Sequence, residues 1–586
     1  MRSLPGLVTA LLMALSVLSC RTPELQQPVE ECTDLSWESD IEGIFSNWCT
    51  PCHGGQVVGE MRRGAPEDVV LDTAATVRPW APRIVATALG EAPTMPPAGG
   101  TTPDERALIR EWIACDMPGS DPEIEVACEA AAPVVGARSL SGQAAADAFC
   151  EQGALLQLDG DLTVSGSVQV DCLCDVTGRV LIDAGRLAGT RLRGIGGDLI
   201  LTGATEGADL PELRSVGGDL RVHDAPTLEA VDFDWLRTVG GEVVVERCDA
   251  LSQLRLRRLA EAGGDVRFES LPMLTGLDAV ESLNDIDGDL VVRGTGVVTM
   301  NEMRGYERIS GGVYVESNPN LTSVQGFWYL SHVRDAIAFR DNPALVSIAG
   351  FDLLMAPEAS IHLTGNTALD FVAFPQLQAL SHAGEFGPAL WIEDAPLVQG
   401  LITPELTAVS TVHIEGSSLS SLSMISTLNQ LGSLTIIGND LLLSVSGPPS
   451  VAQIDALRVE SNANLAGVTG FYTLSGISGD VNLGGNPLLH DLGGLEQLAT
   501  VGGDFRLYGT DLLEDAADLA ALRTIGGTLQ LSELGGVSDL TPMFNLSSVG
   551  GDLIIEDNPA LPMANASALA GEIDSIGGAI SIDNNL

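Results

Sequence analysis

The residues best placed to do chemistry form one compact phrase, Cys49-Thr-Pro-Cys52-His53. Two thiols two residues apart, followed at once by an imidazole, are what covalent attachment of a c-type haem needs. Cys49 and Cys52 are therefore the expected attachment points for the vinyl groups, and His53 the expected axial ligand of the iron. Met95 begins Met-Pro-Pro in a Gly/Pro loop 42 residues after His53, where a thioether is presented from the opposite side as the second axial ligand. Met61 and Met117 compete with it, because a Met in such a loop also serves as packing. Other chemistries for the pair are a redox dithiol, a zinc site or a plain disulfide. No βαβ pattern surrounds the motif as a dithiol fold would require, and His, at 7 in the whole chain, is scarce for zinc.

Positioning such a group takes helices, and the flanking sequence supplies their signals. Ile41, Ile44, Phe45 and Trp48 have helical apolar spacing, predicting a helix that delivers Cys49. Thr102-Pro-Asp-Glu105 reads as a capping box with Pro at the first helical position, opening a helix through Leu108, Trp112 and Ile113. Helix, CxxCH, Met loop and closing helix in this order resemble a class I cytochrome c. The Met-Pro-Pro phrase and the Trp-Ile ending are similar to the small cytochrome c domains of planctomycete and myxobacterial proteins. The resemblance covers residues 36–118 and implies a small all-α domain with one covalent haem c, ligated by His53 and Met95. It implies a one-electron carrier and not an oxygen activator, because His/Met ligation raises the potential. Terminal helices pack together in cytochromes c, which implies a Cys32–Cys115 disulfide.

Residues 1–20 read as an export signal, with Arg2 at the start and a mainly apolar core over residues 7–18. Its end, Val17-Leu18-Ser19-Cys20, resembles the lipobox of bacterial lipoproteins, which implies a lipid on Cys20 as the first residue of the mature chain. Arg21 follows where Asp would favour the inner membrane, so an outer-membrane anchor facing the periplasm or cell surface is expected. No later apolar run is long enough to span a bilayer.

The chain is 586 residues long with a formal net charge of −50, a field that repels phosphate backbones and excludes nucleic-acid partners. Its 66 Gly and 4% aromatic residues suit repetitive β-structure. All 10 Cys lie before residue 250. In an exported protein Cys128, Cys150, Cys172 and Cys174 are expected to staple the first repeats, leaving Cys248 as a spare buried thiol. Residues 21–35 read as a tether and 119–145 as a linker.

From about residue 146 to 586 the chain repeats. Ile195-Gly-Gly-Asp-Leu199 returns as Val216-Gly-Gly-Asp-Leu220, Val501-Gly-Gly-Asp-Phe505 and Val549-Gly-Gly-Asp-Leu553, with a mean period near 24 residues between Ile195 and Ile576. Copies between Val333 and Ile477 are degenerate. Each Gly-Gly turn leads into an alternating strand such as Asp219-Leu-Arg-Val-His223, with Leu220 and Val222 inward. Asn-Pro-x-Leu corners follow at Asn318, Asn342, Asn486 and Asn558, where stacked Asn side chains are suited to a ladder. One unit cannot bury its own apolar face, so the units must stack as a solenoid. These phrases resemble the receptor L-domain, a leucine-rich-repeat-like fold, which implies a mainly-β right-handed solenoid with a ligand-facing side for a protein or glycan. The turn Asp residues lack the second acidic position of calcium-binding repeats and are expected to be solvated. No hydrolase or nucleotide-binding phrase is present.

The expected function is an electron-transfer lipoprotein whose acidic solenoid is a scaffold or docking surface for a redox partner. The rival is a surface recognition or adhesion protein in which the haem domain is sensory or vestigial.

Overall fold

The computed structural model describes residues 36–54, 57, 62, 65, 69–73, 77, 80–89, 101–114, 128, 131–277, 280, 282–301, 303, 305–381, 387–398 and 400–586. Cys20, Cys32, Met61, Met95, Cys115 and Met117 lie outside the described residues. The chain divides into two compact units, Met1–Asp121 and Pro122–Leu586.

The second unit is a parallel β-solenoid of about 19 turns, wound over residues 132–583. Most turns contribute a two-residue strand, then a strand of about four residues across the Gly-Gly phrase. Ser215–Val216 pairs with Thr238–Val239, and Leu220–His223 with Val243–Glu246, one period further on. The longer strands form one continuous stack from Arg138–Leu140 to Ile580–Asp583. The short strands stack in two separate runs, from Ala132–Val135 to His332–Val333 and from Gln453–Ile454 to Ser575–Ile576. The break coincides with the degenerate copies. Inward residues merge into a single apolar column from Val134 to Ile573, through which Phe327, Phe351 and Phe374 stack at centroid distances of 5.2 and 5.0 Å.

The first turn lies earlier than the repeat phrase suggests. Ala132–Val135 and Arg138–Leu140, inside the segment expected as a linker, pair with Leu156–Asp159 and Leu162–Ser165. Residues 132–140 carry no Gly-Gly phrase, yet Val134 and Leu140 are buried in the column. The helix Gln143–Cys150 then covers these turns with Ala146 and Phe149. Cys128–Cys174 and Cys150–Cys172 disulfides tie this end together, and Cys248 is a free buried thiol.

The Gly-Gly turns exist because the turns stack closely. A Cβ on Gly240 would fall 2.3 Å from the carbonyl oxygen of Gly217, and one on Gly241 2.0 Å from Asp219 Oδ1. Close approach, and not left-handed backbone, therefore requires these glycines. The adjoining Asp residues are not merely solvated. Asp219 Oδ1 accepts the backbone N–H of Glu242 in the next turn at 2.9 Å, and Asp265 and Asp504 do the same for Asp289 and Thr528 at 2.7 Å. A carboxylate so engaged satisfies an amide that the bend takes out of the strand ladder.

The corner Asn residues form the expected ladder. Asn439 donates its backbone N–H to Asn462 Oδ1 at 2.9 Å, and Asn462 donates to Asn486 Oδ1 at 2.9 Å. The Asn462 side-chain amide also donates to the carbonyls of Ile436 and Glu460 at 3.2 and 2.9 Å. Asn318, Asn342 and Asn366 repeat the pattern, fully buried. The residue before each corner turns left-handed, whether Gly, as at Gly438 (φ 62°), or not, as at Ser461 (φ 57°).

Replacing Asn462 by Ala strands buried donors and acceptors on two turns. The opening free energy of the turns around residues 439–486 is expected to fall by about 2–3 kcal/mol. Amide hydrogen exchange measures it. Replacing the exposed Asn464, whose side chain bonds one carbonyl, is expected to cost no more than about 0.5 kcal/mol.

Candidate functional site

Helix α1 spans Glu42–Trp48, preceded by a π-helical turn at Trp37–Ile41. Ile41, Ile44, Phe45 and Trp48 are all buried, as their spacing requires. Cys49 closes α1 by donating its N–H to Phe45 O, and the chain runs on into the single turn α2, Thr50–His53. His53 donates its N–H to Cys49 O at 2.8 Å, so Cys49, Cys52 and His53 lie on one face of one helical turn. Gly54 ends that turn where no larger residue fits, since its Cβ would meet Thr50 O at 2.8 Å.

Two further helices are described in this unit, α3 over Ala81–Ala88 and α4 over Pro103–Ala114. The predicted capping box starts α4: Thr102 Oγ1 accepts the N–H of Glu105 at 3.2 Å, and Thr102 N–H donates back to the Glu105 carboxylate. Ile109 and Trp112 are the buried positions of α4, while Leu108 and Ile113 are half-buried. Trp37 packs against both Phe45 and Trp112, at 5.1 and 5.3 Å between centroids, so the first turn, α1 and α4 share a core. Trp48 Nε1 donates to Glu105 Oε1 at 3.1 Å, which ties the residue before Cys49 to the start of α4.

Cys49 and Cys52 are in no disulfide and are half-buried. Burial, reinforced by the neighbouring Cys52, pushes the Cys49 thiol up to about 12. A redox dithiol works through a lowered thiol, so this environment does not suit one. His53 Nδ1 lies 3.3 Å from the carbonyl oxygen of Val69. A carbonyl only accepts, so Nδ1 carries the proton and Nε2 is the nitrogen left for a metal. Burial is the main cause holding His53 below the ordinary imidazole range, which keeps it neutral, the form that coordinates.

Arg62 is the functional side chain that the sequence does not single out. Its buried guanidinium donates to the carbonyls of Gly54 and Val57, both at 3.0 Å, and of Val69 at 2.8 Å. It therefore folds the loop after the motif and fixes the carbonyl that orients His53. Beside Arg63, nothing in residue type marks it. Leu71 N–H closes the loop on His53 O at 2.9 Å. These residues fit a covalent haem: two thiols outside any disulfide and an oriented imidazole on one turn, with a carbonyl behind the ring. Among the described residues no group of three or more His, Cys, Asp or Glu is arranged to hold a metal ion.

Replacing Arg62 by Met removes the donor to four backbone carbonyls, those of Gly54, Val57, Ala65 and Val69. Exchange of the Leu71 amide is expected to quicken by roughly thirtyfold or more, the equivalent of about 2 kcal/mol. The same change at the exposed Arg83 is expected to alter it less than about threefold.

No protein-family profile matches the chain, and no curated protein sequence is significantly similar to it.

Proposed function

We propose that this protein is a one-electron carrier with a single covalent haem c on Cys49 and Cys52, ligated by His53. One arrangement carries the reading: both thiols and the imidazole share one helical turn, and the Val69 carbonyl holds Nδ1 so that Nε2 is free to coordinate. When bound, the haem supplies the ferric–ferrous couple. The chain's own residues do the rest. Arg62 fixes the Val69 carbonyl, the Trp37–Phe45–Trp112 cluster anchors the flanking helices, and Met95 is assigned as the second axial ligand. The unit is then a small all-α cytochrome domain, and Cys20 is the lipid anchor that holds the protein at the outer membrane. The solenoid, read as right-handed and receptor L-domain-like, is the scaffold and docking surface for the redox partner. Right-handed crossover between parallel strands supports that hand.

Co-expression with a c-type maturation system should yield a protein with a pyridine haemochrome spectrum that survives denaturation. Cys49→Ala and Cys52→Ala together should abolish it. A protein without covalent haem overturns the reading, and a haem protein that no partner reduces, but that binds a surface ligand, favours the recognition rival. Met95→Ala should give a high-spin spectrum and a lower potential. An unchanged spectrum transfers the axial role to another residue.

A further inference from the structure

The outward face of the first run of short strands is hollowed into a groove of about 740 Å³. It crosses successive turns from Gln157, through Asp175, Gly194, Ser215, Thr238, Glu261 and Asp285, to Arg308. At ~4.8 Å per turn it is roughly 30–35 Å long. Its floor includes Gly196, Gly217 and Gly240, positions that the adjoining turn keeps free of side chains. The trough is therefore a consequence of how the turns stack, and it cannot be filled by substitution at those glycines.

Its charge is not a consequence of stacking. The second run of short strands has Gly476, Thr500, Thr524 and Ser548 at the outward positions that correspond to Asp175, Glu261 and Asp285, and a single carboxylate, Asp455, at the position of Asp287. The first run places Asp175, Glu261 and Asp285 on the groove, while Asp287 at its end is already bridged by Arg308 at 3.0 Å. Among the described residues no aromatic ring lines it to stack against a sugar. Asp175 is half-buried, and burial holds its carboxyl above the usual range while Arg193 pulls the other way. A cation laid beside such a group is less screened than one on open surface.

We propose that this groove binds an extended cationic polypeptide segment, with Lys or Arg side chains reaching Asp175, Glu261 and Asp285. An extended chain rises ~3.3 Å per residue, so about ten residues fill the trough. The proposal does not rest on the haem reading, because every residue of the groove belongs to the solenoid unit.

The probe is a labelled ten-residue peptide of alternating Lys and Ser, titrated into the full chain at about 0.15 M salt, where long-range attraction is screened. Saturable binding is expected, and an alternating Glu and Ser peptide should not bind. E261Q with D285N should weaken binding by at least about tenfold. D440N with D511N removes equal charge from exposed sites elsewhere and should change it less than about twofold. Ser215→Trp fills the trough without altering charge and should abolish binding while the thermal melt stays unchanged. Equal loss in both charge pairs would reduce the effect to the acidic surface as a whole and overturn the proposal. Retained binding in the Trp variant, or no binding to the original chain, would overturn it as well.

Discussion

Every turn of the solenoid depends on one constraint: the backbone groups that a bend removes from the strand ladder must be satisfied by the neighbouring turn. The chain meets this in two ways, the second only in the turns that carry a corner Asn. On one bend the Asp after Gly-Gly accepts an amide of the following turn, and at the corner a buried Asn accepts the amide of the preceding turn and donates to its carbonyls. Both devices reach only one turn away. They work only when the turns stack in register, which is why the glycines that permit close approach recur beside them. The apolar column stabilises the stack, but these polar contacts specify its pitch.

The haem-motif unit solves its positioning problem by other means. There an aromatic cluster brings the flanking elements together, and a single buried Arg folds the loop behind His53. The chemistry rests on residues close in sequence, so its geometry follows from one helical turn. What lies behind the ring is assembled from carbonyls, which every residue owns.

That difference explains what was legible in the sequence. Repeat phase, the Asn-Pro-x-Leu corners, the inward alternation at Leu220 and Val222, and the capping box at Thr102 are local patterns, and each appears in the structure as read. The staple group of Cys128, Cys150, Cys172 and Cys174 could be named, but its pairing needed the fold. The close approach that requires Gly240 is hidden from local pattern, because its constraint is an atom of Gly217, a full period away. The turn Asp residues looked solvated for the same reason. The first turn at residues 132–140 has the burial of a repeat without its phrase, and Arg62 is indistinguishable from Arg63 until its carbonyl partners are seen. The groove is a property of the stack, which no single period contains.

Both disulfides of the solenoid fall between residues 128 and 174. Since each turn touches only its neighbours, such a molecule loses order like a zip, and the direction of travel is decided by where it is pinned. Turns far from the pinned end open on their own local contacts, and opening runs toward the staples. In a reducing compartment that polarity would vanish, and the early turns, with apolar Ala225, Cys248 and Leu271 in place of corner Asn, would become a second starting point.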